Sequence, residues 1–332
     1  METTSPVITS PQPYDEIDGT HVTLKRVVNP LVALLSLMGN SLNCVVLAKS
    51  GLAKPSNMFL FSLAIADFCT LLKVLFTTIF LSLWRMNRQP GQDSFPQDLA
   101  YVYFFFERLT TFLFLWGGYV GSNIPAIIVV ERIVAVYFPL RFKSLVTPRT
   151  AGAALTITWT FWLPWCMLQT TFLTPSGLVA TDTDVYYATF SQFCLDHIDA
   201  IDIIYSYVLN YLSSVFPVSV IVVCSFLIGV KVRQTMRMRR RISTYRQGYS
   251  TRTTRTLVTV AAVFALFNAS YFTVWCCFSQ DIKSGDGTSL VVDEVEFLIV
   301  YLTSASNFFV YVVLNSKFRK VCLGLFIVCK QK

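Results

Sequence analysis

The sequence predicts an all-α membrane protein, in which seven transmembrane helices form a bundle and a short amphipathic eighth helix follows them. Hydrophobic residues make up 54% of the 332 residues and charged residues only 14%, whereas soluble domains contain about 25% charged residues. Seven continuous apolar runs each approach or exceed the ~20 residues that cross the hydrocarbon core of a bilayer. The charges between these runs also separate by sign onto two sides. These features exclude a soluble enzyme, a disordered chain and a β-barrel, whose strands would be short and alternating.

The predicted spans divide the chain into three parts. We expect an N-terminal tail over residues 1–26, a seven-helix domain over 27–314, and an amphipathic helix with a short tail over 315–332. The first apolar run is long enough to span the bilayer by itself, so we do not expect a cleaved signal peptide. The seven spans cover residues 27–48, 57–81, 109–130, 151–173, 203–230, 256–279 and 297–314, and the last is expected to extend back toward Leu290.

Basic residues gather on one side of the predicted bundle. That side holds twenty of the 27 lysines and arginines, nine of them within residues 231–255, but only one acid, Glu131. The opposite side holds six basic residues and seventeen acids. Because basic loops remain in the cytoplasm, we expect a multi-pass plasma-membrane protein with an extracellular N-terminus and a cytoplasmic C-terminus. The basic segment suits anionic lipid headgroups or a docking partner, and no nucleic acid is expected to bind a loop held at a bilayer.

Three polar residues interrupt the apolar spans at mid-depth: Asn40, Asp67 and Asn307. Polar side chains in lipid are costly, so these three are expected to face the interior of the bundle. A network of hydrogen bonds between helices is enough to explain them, and a functional site is the alternative.

Glu131 and Arg132 close the third span on its basic side. An arginine that pairs with a neighbouring carboxylate can exchange that carboxylate for another partner, which makes the pair a candidate two-state element. The alternative is an arginine that simply extends from a helix end into water.

Several motifs occur in an order and spacing that one family of membrane proteins shares. They are Gly39-Asn40, Leu63-Ala64-Ile65-Ala66-Asp67, Glu131-Arg132-Ile133, Tyr137-Phe138-Pro139-Leu140, Trp159, Pro164, Pro217 and Asn307-Phe308-Phe309-Val310-Tyr311. Across residues 27–330 the chain thereby resembles a rhodopsin-like (class A) G-protein-coupled receptor, and among these it is similar to invertebrate neuropeptide and chemosensory receptors. The resemblance implies signalling rather than catalysis. An extracellular ligand would bind in the outer half of the bundle, and a heterotrimeric G protein would bind on the cytoplasmic side.

The resemblance also implies roles for individual residues. On activation Arg132 would leave Glu131 and face Tyr311 and the G protein, so these three residues form the predicted coupling switch. The predicted polar relay consists of Asn40, Asp67, Ser304 and Asn307. A sodium ion near Asp67 is left open, because Gly121 stands where the family often has a serine ligand. No other metal and no cofactor is expected.

The chain departs from the family pattern at several positions. Cys194 in the second outer loop has no obvious partner, because Glu107 stands where the third span usually carries a cysteine. Cys194 is then expected to be a free thiol, with Cys276 or Cys277 at the outer end of the sixth span as the less favoured alternative partner. Ion pairing by Glu107 and Arg108 is one replacement for the missing disulfide. Four further family residues are replaced, by Ser225, Asn268, Ser270 and Phe308. These departures leave open a divergent relative that does not signal.

The outer half of the bundle indicates the chemistry of the ligand. Phe114 occupies the position at which amine receptors have an aspartate, which disfavours a small amine, and the absence of lysine from residues 297–314 excludes covalent retinal. Acids are frequent in residues 182–202 and before the seventh span, and they would attract a cationic ligand. We therefore favour a basic peptide over a small chemosensory molecule. Solubility and topology alone are the other explanation of these acids.

Six residues are candidates for the ligand pocket. They are Lys73, Phe114, Tyr119, Tyr271, Trp275 and Glu296. The aromatic members would suit packing between helices equally well. Lys73 is unusual because it is a charge within an apolar run. It could reach outward to water, which is the default, pair with Glu107 or Glu296, or bind a carboxylate of the ligand.

The C-terminal segment has an apolar face. Phe318, Cys322, Leu325 and Cys329 recur at intervals of four, three and four residues, which places them on one side of a helix. We expect this helix to lie on the inner leaflet, with Cys322 and Cys329 as candidates for lipidation. The alternative is that both cysteines are small buried apolar residues.

Two further classes of protein are weighed against a receptor for a ligand. A transporter or channel needs a polar pathway, for which only Asp67, Lys73 and a few amides are available. A non-signalling relative of the receptor family is compatible with the departures described above. The sequence contains no nucleophile–base pair, metal cluster or phosphate loop, so we expect no enzymatic activity.

Overall fold

Seven long helices account for most of the structure. The computed structural model describes residues 19–86, 97–173, 177–180, 186–189, 193, 196–241, 259, 262–274, 276–278, 287–314, 318–322 and 324. The helices are α1 (Gly19–Lys49), α2 (Pro55–Met86), α3 (Gln97–Tyr137), α4 (Pro148–Leu168), α5 (Phe216–Arg241), α6 (Ala262–Phe278) and α7 (Gly287–Leu314). Six of them contain or continue an apolar stretch long enough to cross a membrane, and α6 is a shorter apolar helix. A helix thus lies at each of the seven predicted spans, which confirms the predicted bundle.

Three helices begin well before the apolar runs that predict them. α1 begins at Gly19, because a π-helical turn at Leu24–Val28 continues its first turns into the main helix. Part of the expected N-terminal tail is therefore helical. α3 begins at Gln97 rather than at residue 109. α7 begins at Gly287, slightly beyond the expected extension toward Leu290, and the segment before residue 297 carries three acids. They are Asp293, Glu294 and Glu296.

The start of α4 follows from local hydrogen bonding. The Thr147 hydroxyl accepts a hydrogen bond from the Thr150 N–H at 3.2 Å, and the Thr150 hydroxyl accepts one from the Thr147 N–H at 2.9 Å. This reciprocal cap satisfies N–H groups that the first turn leaves free. Pro148 is the first helical residue, a position at which its missing N–H is not needed.

The connection from α4 to α5 contains a short hairpin. Its strands β1 (Gly177–Ala180) and β2 (Tyr186–Thr189) pair antiparallel, a feature that the sequence analysis did not predict. The chain then enters α5 through helical turns over residues 198–215, most of them π-helical.

α3 lies at the centre of the bundle. It packs against α2, α4 and α5, while α1 packs against α2 and α7. Two of these contacts require glycine. A Cβ at Gly117 would lie 2.4 Å from the Ala66 carbonyl oxygen, and a Cβ at Gly39 would lie 2.8 Å from the Phe308 Cβ. The backbones of α2 and α3, and of α1 and α7, approach closely because these positions have no side chain.

Three apolar clusters among the described residues hold the helices together, the smallest of which joins α1, α2 and α7. The largest cluster contains residues of α1, α2, α3, α4 and α7, among them Leu63 and Ile128. The second joins α3, α5 and α6 through Val129, Ile221 and Phe264. Large apolar side chains also cover outer faces of the bundle, among them Leu35, Phe226 and Val313. Such exposed apolar surface suits contact with lipid rather than water.

The segment after α7 packs back against the bundle. Residues 318–322 are helical, and Phe318 and Cys322 are buried in the largest cluster, with the Phe318 ring 5.9 Å from that of Tyr311. Burial raises the pKa of the Cys322 thiol, whereas a reactive cysteine needs an accessible thiolate. The packing therefore favours the alternative in which Cys322 is a small buried apolar residue rather than a lipidation site. Cys329, the other candidate, lies outside the described residues.

Candidate functional site

The two ends of the bundle differ in charge. We call the end at which α3 carries Glu131 and Arg132, and α5 carries Lys231, the basic end. The opposite end carries acids on α3 and α7, and we call it the acidic end. The acids on these two helices at that end whose side chains the structure describes are Glu107, Asp293, Glu294 and Glu296.

Asp67 joins α2 to α7 in the middle of the bundle. Its Oδ1 accepts a hydrogen bond from the Ser304 hydroxyl, and its Oδ2 accepts one from the Asn307 amide, both at 2.8 Å. All three side chains are buried. A buried carboxylate is tolerated where donors satisfy its oxygens, so these three predicted relay residues stabilise one another.

Asn40 extends this network to α1. Its Nδ2 donates to the Ser304 carbonyl at 3.2 Å and to the Ser36 carbonyl at 3.1 Å. Its Oδ1 accepts a hydrogen bond from the Asn43 amide at 3.2 Å. The four predicted relay residues are therefore brought together, and the structure adds Ser36 and Asn43. Their positions four residues before and three residues after Asn40, on the same face of a helix, were the available signal.

The sodium ion near Asp67 stays a prediction. A hard cation binds through several oxygens at once. Each Asp67 oxygen accepts one hydrogen bond, and Gly121, which also lines this region, adds no side-chain oxygen. No part of the function proposed below depends on an ion here.

At the basic end, Glu131 and Arg132 form a buried ion pair. The Arg132 Nη2 lies 2.5 Å from the Glu131 Oε1, and both residues are less than a tenth exposed, at 7% and 5%. Ser56 of α2 completes a triangle, because its hydroxyl accepts from the Arg132 Nη2 at 2.7 Å and donates to the Glu131 Oε1 at 3.0 Å. Arg132 is thus held inside the protein rather than extended into water. The sequence analysis missed Ser56, because a single serine at the start of a helix has no distinctive pattern.

Three buried polar atoms of the predicted switch lack partners. The Arg132 Nε, the Glu131 Oε2 and the Tyr311 hydroxyl make no hydrogen bond with any residue that the structure describes. Buried groups without partners are costly. A second arrangement in which Arg132 and Tyr311 find partners would therefore recover energy that this arrangement leaves unused.

Lys73 pairs with Glu107 near the acidic end. The Lys73 Nζ lies 3.7 Å from the Glu107 Oε1 and 5.5 Å from the centre of the Phe114 ring. Thr77 and Thr111 also donate to the Glu107 carboxylate, at 3.4 Å each. Of the four explanations offered for Lys73, the structure supports pairing with Glu107.

Glu107 and Arg108 tie α3 to two different neighbours. Glu107 contacts α2 through Lys73, and the Arg108 Nη2 donates to the Thr170 carbonyl, just beyond α4, at 2.5 Å. The expected replacement for the disulfide therefore consists of two separate polar contacts on helices. Cys194 lies outside the described residues.

A cavity of about 310 Å³ lies among α2, α3, α6, α7 and the helical turns that precede α5. It extends from Asp293 and Glu296 at the acidic end to Asp67 and Ser304 in the middle of the bundle. Its volume falls at the lower end of the range of about 300–1,000 Å³ that is typical of ligand pockets. The cavity is therefore large enough for a small ligand or for two side chains of a larger one.

Four of the six predicted pocket residues line this cavity. They are Phe114, Tyr119, Tyr271 and Glu296. Lys73 is not among the lining residues, and position 275 lies outside the described part of the chain. Tyr119 is also held by packing, because its hydroxyl donates to Gln169 at 2.9 Å and its ring stacks on Trp162. The sequence analysis missed other lining residues, including Gly118, Asn210, Phe264, Asn268 and Asp293.

This architecture defines a seven-helix membrane receptor, with a cavity at one end, a buried relay in the middle and an ion pair at the other end. The family model of the 7 transmembrane receptor (rhodopsin family) matches residues 39–311. The chain belongs to this family. Its members are receptors rather than enzymes, and the chain is accordingly not an enzyme.

Individual relatives include peptide receptors and an olfactory receptor. The chain is 24% identical to neuromedin-U receptor 2 of Mus musculus over 88% of the chain and 72% of that receptor. It is 32% identical to galanin receptor 2b of Danio rerio over 40% of the chain and 32% of that receptor. It is 28% identical to olfactory receptor-like protein I9 of Rattus norvegicus over 41% of the chain and 40% of that protein. The chain spans less than half the length of the first curated relatives that it matches.

Proposed function

We propose that this chain is a plasma-membrane receptor that transmits the binding of an extracellular ligand to a heterotrimeric G protein. The observation that carries the proposal is that one cavity reaches from the acidic end to the buried relay, since Asp67 and Ser304 belong to both. A ligand in this cavity can bias the arrangement of α1, α2 and α7, which the relay joins. A ligand shifts a conformational equilibrium only through such differential contacts.

The proposed orientation puts the acidic end outside the cell and the basic end in the cytoplasm. Support comes from the segregation of basic residues to one side of the bundle, which membrane proteins show on their cytoplasmic loops. The N-terminus is then extracellular and the C-terminus cytoplasmic. The exposed apolar faces of the helices contact membrane lipid.

The proposed ligand is a basic peptide. Asp293 and Glu296 line the cavity at the acidic end, where negative potential would raise the local concentration of cations. Two similar proteins are named as receptors for neuromedin U and galanin. The similarity to an olfactory receptor-like protein supports a second candidate, a chemosensory receptor for a small molecule, which would need only the apolar part of the cavity.

The basic end would bind the G protein. Release of Arg132 from Glu131 and Ser56 would free a cation on the same end as Leu140, an apolar side chain that is 98% exposed. An exposed apolar group beside basic residues suits the core of a transient protein interface.

The test compares the wild type with Arg132→Ala in cells, at matched surface expression, while amidated basic peptides and small odorants are screened for a second-messenger response. We expect a peptide agonist, and we expect Arg132→Ala to remove its effect. Arg149→Ala, an exposed arginine at the same end, is the matched control and should respond like the wild type. A response that persists in Arg132→Ala counts against the proposed switch. Substrate flux without G-protein turnover would indicate a transporter, and an absence of both would indicate a non-signalling relative.

A further inference from the structure

We propose that Glu296 is the anchor for a cationic group of the ligand, and that Gly118 gives an apolar group of the same ligand access to the floor of the cavity. The inference rests on the receptor function proposed above and specifies the chemistry of its site. The ligand would carry a guanidinium or ammonium group next to a bulky apolar group.

Two of the four acids described at the acidic end already have partners. Glu107 pairs with Lys73. The Glu294 Oε2 accepts a hydrogen bond from Asn29 at 2.7 Å, and its Oε1 lies 3.8 Å from the Lys25 Nζ. Neither of these carboxylates is among the lining residues of the cavity. Both are therefore explained by the packing of the bundle itself.

Glu296 lines the cavity without a partner of its own. Its Oε1 is buried and makes no hydrogen bond with any described residue. The acid closest to Glu296 is Asp293, which carries the same charge, whereas Asp293 also lies near the Lys25 ammonium. Glu296 as a whole is half-buried, and a carboxylate that is partly removed from water without a counter-charge is costly. A cationic group of the ligand would remove this cost, so Glu296 rather than Asp293 is the anchor.

Aromatic rings lie beside this anchor. Phe297 follows Glu296 on α7, and its ring packs edge-on against the Phe114 ring of α3, with 5.7 Å between the ring centres. Both residues line the cavity. The Lys73 ammonium already lies 5.5 Å from the centre of the Phe114 ring, so this aromatic wall suits the apolar part of the ligand.

Gly118 leaves space in the cavity below these rings. A Cβ at Gly118 meets no atom within 4 Å, and Gly118 lines the cavity. The neighbouring Gly117 is different, because a Cβ there would lie 2.4 Å from a carbonyl oxygen of α2. Packing therefore explains Gly117, whereas the space at Gly118 is available to a ligand. From Glu296 to Ser304 on the floor, α7 rises about 12 Å at ~1.5 Å per residue, which two adjacent side chains of a peptide can span.

Binding to the purified full-length chain in detergent micelles tests the inference without any need for G-protein coupling. The probes are four dipeptide amides: Arg-Phe, Arg-Ala, citrulline-Phe and citrulline-Ala. Citrulline keeps the shape of arginine but carries no charge. Affinity is measured from the rise in thermal stability with probe concentration, since a ligand that binds only the folded state stabilises it.

We expect the wild type to bind the Arg-Phe amide at least about tenfold more tightly than the citrulline-Phe amide, as for a close charge pair. Glu296→Gln should abolish this preference, whereas Glu296→Asp, which keeps the charge, should retain it. Glu107→Gln is the matched control, because its carboxylate is paired outside the cavity, and it should also retain the preference. Gly118→Val should abolish the preference for Phe over Ala while the preference for Arg over citrulline persists.

Several results would overturn the inference. They are equal binding of the Arg and citrulline probes by the wild type, no binding of any probe, and a preference for Arg that survives in Glu296→Gln. A preference that is lost in Asp293→Asn but not in Glu296→Gln would assign the anchor to Asp293 and would also overturn it. Intact probe preferences without any G-protein turnover would leave the site standing and refute the proposed receptor function instead.

Discussion

The Arg132 Nη2 donates to the Ser56 hydroxyl at 2.7 Å, so the arginine of the proposed switch is held by α2 as well as by Glu131. The position of Arg132 therefore depends on how α2 and α3 sit against each other. The same two helices are in backbone contact where Gly117 of α3 meets Ala66 of α2. A displacement of α3 relative to α2 would loosen the hold on Arg132, whereas a movement of α5 and α6 alone would leave Ser56 in place.

Removal of the Ser56 hydroxyl should raise basal signalling. A hydrogen bond to a charged group contributes about 1.5–3 kcal/mol, so Ser56→Ala should shift the equilibrium for release of Arg132 by roughly ten- to a hundredfold. The measurement is ligand-free nucleotide exchange by the G protein in membranes that contain equal amounts of receptor. Ser50→Ala is the matched control, because the Ser50 hydroxyl donates only to the Val46 carbonyl of its own helix. Equal basal exchange in Ser56→Ala and the wild type would refute a restraining role for Ser56.

Removal of the Asp67 carboxylate should destabilise the bundle. Asp67→Ala leaves the Ser304 hydroxyl and the Asn307 amide without their acceptor, and each buried orphan group costs about 1–3 kcal/mol. The loss should appear as a lower midpoint of thermal unfolding in detergent. Phe68→Leu, at the neighbouring exposed apolar position, should change the midpoint little. A midpoint for Asp67→Ala at or above that of the wild type would show that desolvation of the charge outweighs its hydrogen bonds.

The relay could be predicted from the sequence, whereas its surroundings could not. Asn40, Asp67 and Asn307 stand out because a polar side chain in an apolar span must face the interior whatever the details of packing. The partner of Lys73 could not be chosen, because a long side chain reaches several carboxylates and the choice depends on helix rotation. The contacts of Ser56 with Arg132 and Glu131 could not be predicted from the sequence, because they depend on how α2 and α3 pack together.

The start of α7 at the acidic end also could not be located from hydropathy alone. Mean hydropathy falls where charged residues begin, so the apolar run of the seventh span starts only at residue 297, with an expected extension toward Leu290, and α7 begins at Gly287. Backbone hydrogen bonds continue through this polar stretch, because acids are tolerated near the N-terminus of a helix. The consequence is functional, since the early start puts Asp293 and Glu296 on a rigid helix facing the cavity.

The Lys73–Glu107 pair should contribute a small but measurable coupling. The side chains are 26% and 28% exposed, and partly exposed pairs contribute about 0.2–1 kcal/mol. A double-mutant cycle with Lys73→Met and Glu107→Gln, read from thermal unfolding, should give a coupling energy in this range. The charge-swapped double variant Lys73→Glu with Glu107→Lys should be more stable than either of its single reversals. Strict additivity in the cycle would show that the two residues do not interact.

Two adjacent glycines of α3 should respond in opposite ways to the same substitution. Gly117→Ala puts a methyl group 2.4 Å from the Ala66 carbonyl oxygen and 2.8 Å from the Thr70 hydroxyl, and backbone cannot yield as a flexible side chain does. Overpacking of this kind costs about 1–3 kcal/mol or more, so the midpoint of thermal unfolding should fall. Gly118→Ala meets no atom within 4 Å and gains helix propensity of about 1 kcal/mol, so its midpoint should be unchanged or higher. Each variant is the control for the other, because both make the same chemical change one residue apart. Equal midpoints of thermal unfolding for the two variants would refute the close approach of α2 and α3 at Gly117.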